Sequence, residues 1–317
     1  MKQIIKNISK KIVPNKLKYL INGFRKLSNN RDYRREIAYL KNDLLYFKIL
    51  HYFEYNRPEE YQDEIKYLKK IGTLTPFPYD RTDKEPGNIT VDFDKNKKMP
   101  FILHKDKKLY FPKFYNTEQA KNLYLNLLVN ENILGGRFRK MNPHQYTTES
   151  FFVKDGDIVL DIGACEGLFL LDVVDKIKKG FIFESDKNWI EALTATFEPF
   201  KEKVMIINKL ASNKDSSNEM TVDSCLKNEY GNIFIKMDVE GSESMVLQGS
   251  KSVLNRKNDI RVACCTYHKN DDANLLEKFF NDMHYHTEFS DGYMLFFHDM
   301  DIKPPYFRKG LIRAWNL

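Results

Sequence analysis

Apolar residues change their spacing along the chain, and the changes mark its elements. From Tyr33 to about Ile71 the period is helical: Ile37, Leu40, Leu44 and Phe47 recur three and four apart until Asn56-Arg57-Pro58 interrupts them, which predicts a helical hairpin. The apolar seam covers only about two heptads, short of a coiled coil, so the hairpin is expected to pack on the core. Residues 72 to 100, rich in Pro, Gly, Asp and Lys, read as a linker or cap. Phe101-Ile102-Leu103 and Leu109-Tyr110-Phe111 bracket a charged His104-Lys105-Asp106-Lys107-Lys108 turn and predict a β-hairpin.

After Phe151 short apolar runs alternate with helical patterns, the signature of a parallel sheet with crossover helices. Strands are predicted near 158–162, 180–184, 203–208, 232–238 and 260–266, and helices near 167–178, 187–198, 241–254 and 272–283. Tyr285 to Phe289 and Tyr293 to His298 are strand-like and joined by Ser290-Asp291-Gly292, too short for a crossover, so the last strand must run antiparallel. The expected organisation is a tail over 1–30, a helical hairpin and linker over 31–100, a cap or lead-in over 101–150 and an α/β domain over 151–317.

Charge alters the picture at one end only. Residues 1–30 hold eight bases (Lys2, Lys6, Lys10, Lys11, Lys16, Lys18, Arg25, Lys26) and no acid, leaving 43 bases against 44 acids in the remainder. The near-neutral body argues against a nucleic-acid partner. In the tail, Ile4, Ile5, Ile8, Ile12 and Val13 recur at helical spacing, so a basic amphipathic helix is expected, lying on an anionic inner leaflet or docked on the chain's own body or a partner chain. No apolar run approaches the ~20 residues of a membrane span, and no cleavable leader pattern stands at the N-terminus, so a cytoplasmic location is expected, with peripheral contact at the inner membrane face. The cysteines Cys165, Cys225, Cys264 and Cys265 form no CxxC pair and read as reduced thiols.

The chemistry begins in the first loop. Ile158-Val159-Leu160-Asp161-Ile162-Gly163-Ala164-Cys165-Glu166-Gly167 is a strand, a small-residue turn and a helix start, in which glycines let backbone come close to a ligand. It lacks the G-x-G-x-x-G of dinucleotide sites. With Asp161 leading the glycines it suits a cationic sulfonium amino acid, S-adenosylmethionine, better than a pyrophosphate, which the acid would repel. Asp161 is expected to face the methionine ammonium through water. Glu184 ends the next strand 23 positions on, where a carboxylate can accept both ribose hydroxyls. Gly163, Ala164, Glu166, Gly167, Ser185, Ser212 and Asp238 complete the expected cofactor contacts. The plain alternatives are a tight turn without ligand and a surface acid at a strand end. A parallel sheet ending in an antiparallel hairpin matches class I methyltransferases, with a Rossmann-like sheet, rather than dehydrogenases.

Three segments then carry a family resemblance. Gly156-Asp157-Ile158-Val159-Leu160-Asp161-Ile162-Gly163-Ala164, Phe234-Ile235-Lys236-Met237-Asp238-Val239-Glu240-Gly241-Ser242-Glu243 and Val246-Leu247-Gln248-Gly249 closely resemble the FkbM family of S-adenosylmethionine-dependent methyltransferases. Thr266-Tyr267-His268 and the Gly-Leu-Ile-Arg run at 310–313 are similar too, so the resemblance covers about 140–317. The first loop departs from it in carrying Cys165-Glu166 where many members have an Asn-containing turn. The resemblance implies O-methylation of a carbohydrate or glycan-like acceptor, with Asp238, Glu240 and His268 at the ligand edge of the sheet and His268 as general base. The alternatives are a helix cap for Glu240 and, for His268, only a support for the Asp238 or Glu240 carboxylate. Mg²⁺ held by Asp238, Asp271 and Asp272 is conceivable, a helix cap being preferred for the last two, so no metal site is assigned. Tyr146, Tyr267 and Trp189 are stacking faces or core residues. Two other readings stay open: a scaffold with an inactive methyltransferase fold, and a nicotinamide-dependent oxidoreductase.

Overall fold

Arg57 at φ 42° followed by Pro58 ends the first long helix, because neither residue can continue an α-helix there. This computed structural model describes residues 31–80, 89–129 and 141–316; the tail over 1–30 lies outside them. The chain divides into two compact units at Thr75/Pro76. In the first, α1 (Arg31–Asn56) is followed by a 3-10 turn (Glu59–Tyr61) and α2 (Gln62–Ile71). Asp63 and Glu64 in the first turn of α2, and Lys69 and Lys70 in its last, complement its dipole. Gly72, at φ 71°, closes it by donating its N–H to the Leu68 carbonyl. Ile49 and Phe53 of α1 are buried with Tyr61, Ile65 and Leu68.

The second unit opens with an antiparallel sheet of β1 (Val91–Asp94), β2 (Met99–His104) and β3 (Lys107–Tyr110). The β2–β3 turn is only Lys105-Asp106, both at positive φ, which matches the strand twist. Helix α3 (Thr117–Val129) follows. Then comes the main sheet: β4 (Ile158–Ile162), β5 (Lys179–Phe183), β6 (Val204–Ile207), β9 (Ile233–Met237), β10 (Ile260–Cys265), β11 (His286–Phe289) and β14 (Leu311–Trp315). Two short ladders accompany it, β7 (Leu210–Ala211) with β8 (Glu219–Met220), and β12 (Tyr293–Met294) with β13 (Arg308–Lys309).

The order in the main sheet is β11-β14-β10-β9-β4-β5-β6. Strands β4, β5, β6, β9 and β10 are parallel, and β14 runs antiparallel between β10 and β11. That order, with its switch between β4 and β9, is the class I methyltransferase form of the Rossmann-like sheet. Every residue of β4, β9 and β10 is buried, as expected of parallel strands covered on both faces. Alternation splits β4 between two cores. Val159 joins Phe77, Phe111, Tyr124, Phe151 and Phe169 on one face, and Ile158, Leu160 and Ile162 join Ile235, Val262 and Phe280 on the other. Residues from Pro76 onward therefore belong to the same body as the sheet.

Of the four expected helices, those over 187–198 and 272–283 agree to a residue, and the other two are shorter than their patterns predict. Helix α4 covers Leu168–Val173, α5 Lys187–Phe197 and α6 Val222–Cys225; the run expected over 241–254 is two helices, α7 (Glu243–Gln248) and α8 (Lys251–Leu254). Gly249 separates them: a Cβ there would stand 2.1 Å from the Ser212 carbonyl oxygen. Helix α9 is Asp272–Asp282.

The sheet's ending needs a correction. The antiparallel last strand is present, but it is Leu311–Trp315 and not 293–298. Ser290-Asp291-Gly292 is an irregularity within one arm, because the ladder pairing His286–Phe289 with Ile312–Trp315 resumes, displaced by one residue, between Tyr293–Met294 and Arg308–Lys309. The true turn is the segment 295–307, and it brings Phe296 and His298 to the ligand edge. Among the described residues no helix is long and apolar enough to cross a membrane.

Candidate active site

The switch between β4 and β9 leaves a crevice beyond the carboxyl ends of the strands, the usual ligand position in open α/β sheets. Here it is a cavity of about 820 Å³, within the ~300–1,000 Å³ of small-molecule sites. Its floor is where two loops touch. Gly163, at φ 74°, lies so close to the next loop that a Cβ would stand 1.8 Å from the Asp238 carbonyl oxygen, while the Asp238 N–H donates to the Ile162 carbonyl at 3.0 Å. A side chain at 163 would separate the loops.

Asp161 does not face this cavity. It is fully buried, and the β4–β9 register sets it opposite Lys236, whose Nζ is 3.0 Å from its Oδ1 and donates to the Gly163 carbonyl at 2.6 Å. Burial disfavours charge on Lys236, but Asp161 and Asp238 beside it more than reverse this and raise its pKa. The acid expected to meet a methionine ammonium thus already has a cation, supplied by the neighbouring strand.

Glu184 stands at the cavity wall and accepts backbone N–H groups from Cys165 at 2.9 Å, Ser185 at 2.7 Å and Asp186 at 2.7 Å. Gly163, Glu166, Ser185 and Asp238 also line the wall, with Trp189, Leu210 and Ala211. Ala164, Gly167 and Ser212 do not. Gly167 begins α4, with an added Cβ only 2.7 Å from Leu193 Cδ2, and the Ser212 hydroxyl is turned to Glu219 at 2.9 Å.

Across the cavity, Asp238 gathers polar groups from four directions. Tyr146 donates to its Oδ2 at 3.2 Å and Tyr267 to Oδ1 at 3.3 Å; His144 Nε2 lies 3.6 Å from Oδ2 and His268 Nε2 lies 3.4 Å from Oδ1. Burial alone would raise its pKa, but the His144 contact and the charges of His144, Lys236 and His268 hold the carboxyl well below the usual range. Asp238 is therefore a carboxylate over the working pH range and a reluctant proton acceptor.

His268 sits behind Asp238, with its side chain 3% exposed, and is not on the wall; Tyr267 takes that position. Its Nδ1 is 2.9 Å from Glu243 Oε1, a close but bent approach, and its Nε2 also lies 3.6 Å from Glu240 Oε2. Burial works against the imidazolium, yet Glu243, Asp238 and Glu240 together raise its pKa above the ordinary 6.5. Glu240 lines the cavity at φ 53° with its side chain 85% exposed. The N-cap of this helix is Ser242, without a side-chain cap bond, and Glu243 holds the preceding loop instead: its Oε1 accepts from Val239 N–H at 3.1 Å and Gly241 N–H at 3.4 Å.

Two trios of metal-capable groups occur among the described residues, His144–Asp238–Cys265 and Asp238–Glu243–His268, and neither includes Asp271 or Asp272. Asp272 instead accepts the Lys269 N–H at 2.8 Å at the start of α9. Burial pushes the Cys265 thiol far up, so it is a packing group, 3.2 Å from His144 Nε2. Of the aromatic candidates, Tyr267 and Trp189 line the cavity, while Tyr146 is 1% exposed beneath Asp238. Sequence reasoning missed His144, Lys236 and Glu243. Lys236 was visible as a lone cation within Ile233-Phe234-Ile235-Lys236-Met237; His144, in a loop preceding the sheet, gave no signal.

No family model and no curated protein matches the sequence. Solved structures similar to it include an FkbM methyltransferase from Methylobacillus flagellatus, with 19% identity, 52% of this chain and 44% of that chain covered, and a TM-score of 0.40. A precorrin-6y C5,15-methyltransferase from Geobacter metallireducens matches at 15% identity, 52% and 82% coverage and a TM-score of 0.36. A candidate methyltransferase from Streptococcus mutans in complex with SAH matches at 12%, 52% and 91% coverage and 0.34. The match spans less than half of the FkbM chain, and similarity at these distances assigns no activity.

Proposed function

We propose that the chain is an S-adenosylmethionine-dependent O-methyltransferase acting on a carbohydrate hydroxyl. The observation that carries the reading is the charge of the cavity wall: five carboxylates (Glu166, Glu184, Asp186, Asp238, Glu240) against one lysine, Lys209. Such a wall attracts a sulfonium amino acid and repels the pyrophosphate of a dinucleotide. The donor set fits the cofactor as well. Glu184 at the end of β5 offers carboxylate oxygens to ribose hydroxyls, with Trp189, Leu210 and Ala211 as apolar neighbours for a base.

Bound S-adenosylmethionine supplies an electrophilic methyl group. The chain's own task is to hold a hydroxyl oxygen in line and to receive its proton. Asp238, carboxylate at all working pH and open to the cavity, accepts the hydroxyl's hydrogen bond and orients a lone pair. Phe77, Tyr267 and Phe296 give that end apolar faces of the kind that stack on the C–H face of a sugar. A cytoplasmic location and a place in surface-glycan synthesis belong to the same proposal.

Calorimetric titration with S-adenosylmethionine, S-adenosylhomocysteine and NAD tests it. Binding of the first two and not of NAD is expected; binding of none leaves a scaffold, and binding of NAD alone overturns the reading. Mass spectrometry of the host's surface glycan with and without the gene then seeks the loss of one methyl increment.

A further inference from the structure

A hydroxyl that loses its proton to Asp238 meets a problem, because the same contacts that keep Asp238 charged make it a poor resting place for a proton. The stronger base stands behind it. His268 turns one ring nitrogen to Asp238 and the other to Glu243, and both partners are held from the backbone: Asp238 by its N–H on the Ile162 carbonyl, Glu243 by the N–H groups of Val239 and Gly241. Glu243 is 1% exposed, and its second oxygen, Oε2, is buried with no hydrogen-bond donor. A buried carboxylate in that state acts electrostatically on whatever positive group is nearest.

We propose that Glu243, His268 and Asp238 form a proton relay in which Glu243 is the positioning residue: it fixes the proton of neutral His268 on Nδ1 and leaves Nε2 free to take the acceptor's proton through Asp238. This rests on the methyl-transfer reading. The balance is simple. The acceptor O–H bond breaks, its proton passes by way of an Asp238 oxygen to His268 Nε2, the oxygen's electron pair forms the new O–CH₃ bond, and the S–CH₃ electrons stay on sulfur. The 3.4 Å between Nε2 and Oδ1 must close by a few tenths of an ångström for the transfer.

Two carboxylates compete with Glu243 for the proton of neutral His268, since Asp238 and Glu240 face Nε2 at 3.4 and 3.6 Å; the shorter 2.9 Å approach of Glu243 to Nδ1 favours the proposed tautomer. Asp238 and Glu240 approach from the loop after β9, Glu243 from α7 and Asp272 from the start of α9. The Lys269 ammonium is spent on the Gly241 carbonyl, and Arg308 donates to the His268 carbonyl at 2.7 Å, away from the ring. Tyr267 packs at 4.1 Å between ring centroids, and Phe296 edge-on at 5.3 Å. Carboxylates thus dominate, and removing one lowers the point at which the ring gives up its proton.

Nitrogen-edited NMR of the imidazole in full-length protein, without acceptor, reads both tautomer and midpoint. The expected result is a midpoint above 6.5 and, above it, a proton on Nδ1. In Glu243→Gln, which keeps an acceptor for the two backbone N–H groups, the midpoint falls by about one unit or more. The acidic limb of the kcat profile moves to lower pH with it, while KM and S-adenosylhomocysteine affinity hold. A neutral His268 protonated on Nε2 in the parent overturns the proposal even if the variant does not fold. A folded variant whose midpoint and limb both stay in place overturns it equally. Failure of methyl transfer itself shows separately, as lack of cofactor binding in the parent.

Discussion

Replacing Lys236 with methionine tests whether the site stands on a buried charge. The side chain is 7% exposed, and Asp161, 3.0 Å from its ammonium, is 1% exposed. Methionine keeps the length and apolar stem, so what is lost is the charge and the bond to the Gly163 carbonyl. Removing one partner of a buried ion pair costs about 3–5 kcal/mol, because the other charge is left without compensation. At roughly 2–4 °C per kcal/mol for a unit of this size, melting should fall by about 6–20 °C. The pH dependence has a definite sign. Lys236 helps depress the Asp238 pKa below its ordinary 3.8, a contribution present above that pH and lost as pH falls through the depressed value. The variant's deficit is therefore full near neutrality and narrows in acid. Thermal scans across pH, with Asp161→Asn added in a second variant, measure this. The double variant should recover more than half of the loss, since no orphan carboxylate remains at 161. A single variant melting within about 2 °C of the parent, or losses that simply add, would refute the reasoning.

Three further outcomes follow from the same geometry. Gly163→Ala puts a Cβ where the Asp238 carbonyl oxygen stands, so S-adenosylhomocysteine affinity should drop at least about tenfold by titration; unchanged affinity would mean that the two loops part freely. Glu184→Ala removes a carboxylate that holds three backbone N–H groups and faces the cavity, and should weaken S-adenosylhomocysteine by about 1–3 kcal/mol with the fold intact; an equal dissociation constant counts against the ribose assignment. Deleting residues 1–30, with their eight bases, should abolish co-sedimentation with anionic vesicles at low salt and spare cofactor binding; equal sedimentation of both proteins rejects the membrane role.

Strand positions in the main sheet were legible in the sequence for a physical reason. Parallel strands covered on both faces must be continuously apolar, so Ile158–Ile162, Ile233–Met237 and Ile260–Cys265 stood out. Helix lengths were less legible, since an apolar period continues through Gly249, while the Ser212 carbonyl that leaves no room for a side chain there lies far off in sequence. The last strand was misplaced because Tyr293–His298 has strand-like composition, and composition cannot tell one long irregular arm from two arms of a hairpin.

The site divides along the same line. Residues within strands or at their immediate ends obey the pleat, and for them position fixes direction: Glu184 emerges at the cavity, and Asp161 lies across from Lys236. The lone lysine in an apolar strand already implied that Asp161 was taken, because a buried ammonium without a carboxylate beside it is too costly to keep. Beyond the strand the pleat gives no guidance. Strand β10 ends at Cys265, and Thr266, Tyr267 and His268 follow the loop's own path, anchored by the Thr266 hydroxyl on the Lys309 carbonyl at 2.6 Å and by Arg308 on the Tyr267 and His268 carbonyls. Those anchors belong to the β13–β14 arm, 40 to 43 residues on. They decide that Tyr267 faces the cavity and His268 faces Glu243. A histidine placed by motif at a strand end was thus expected at the substrate, and the distant arm turns it into the group behind Asp238.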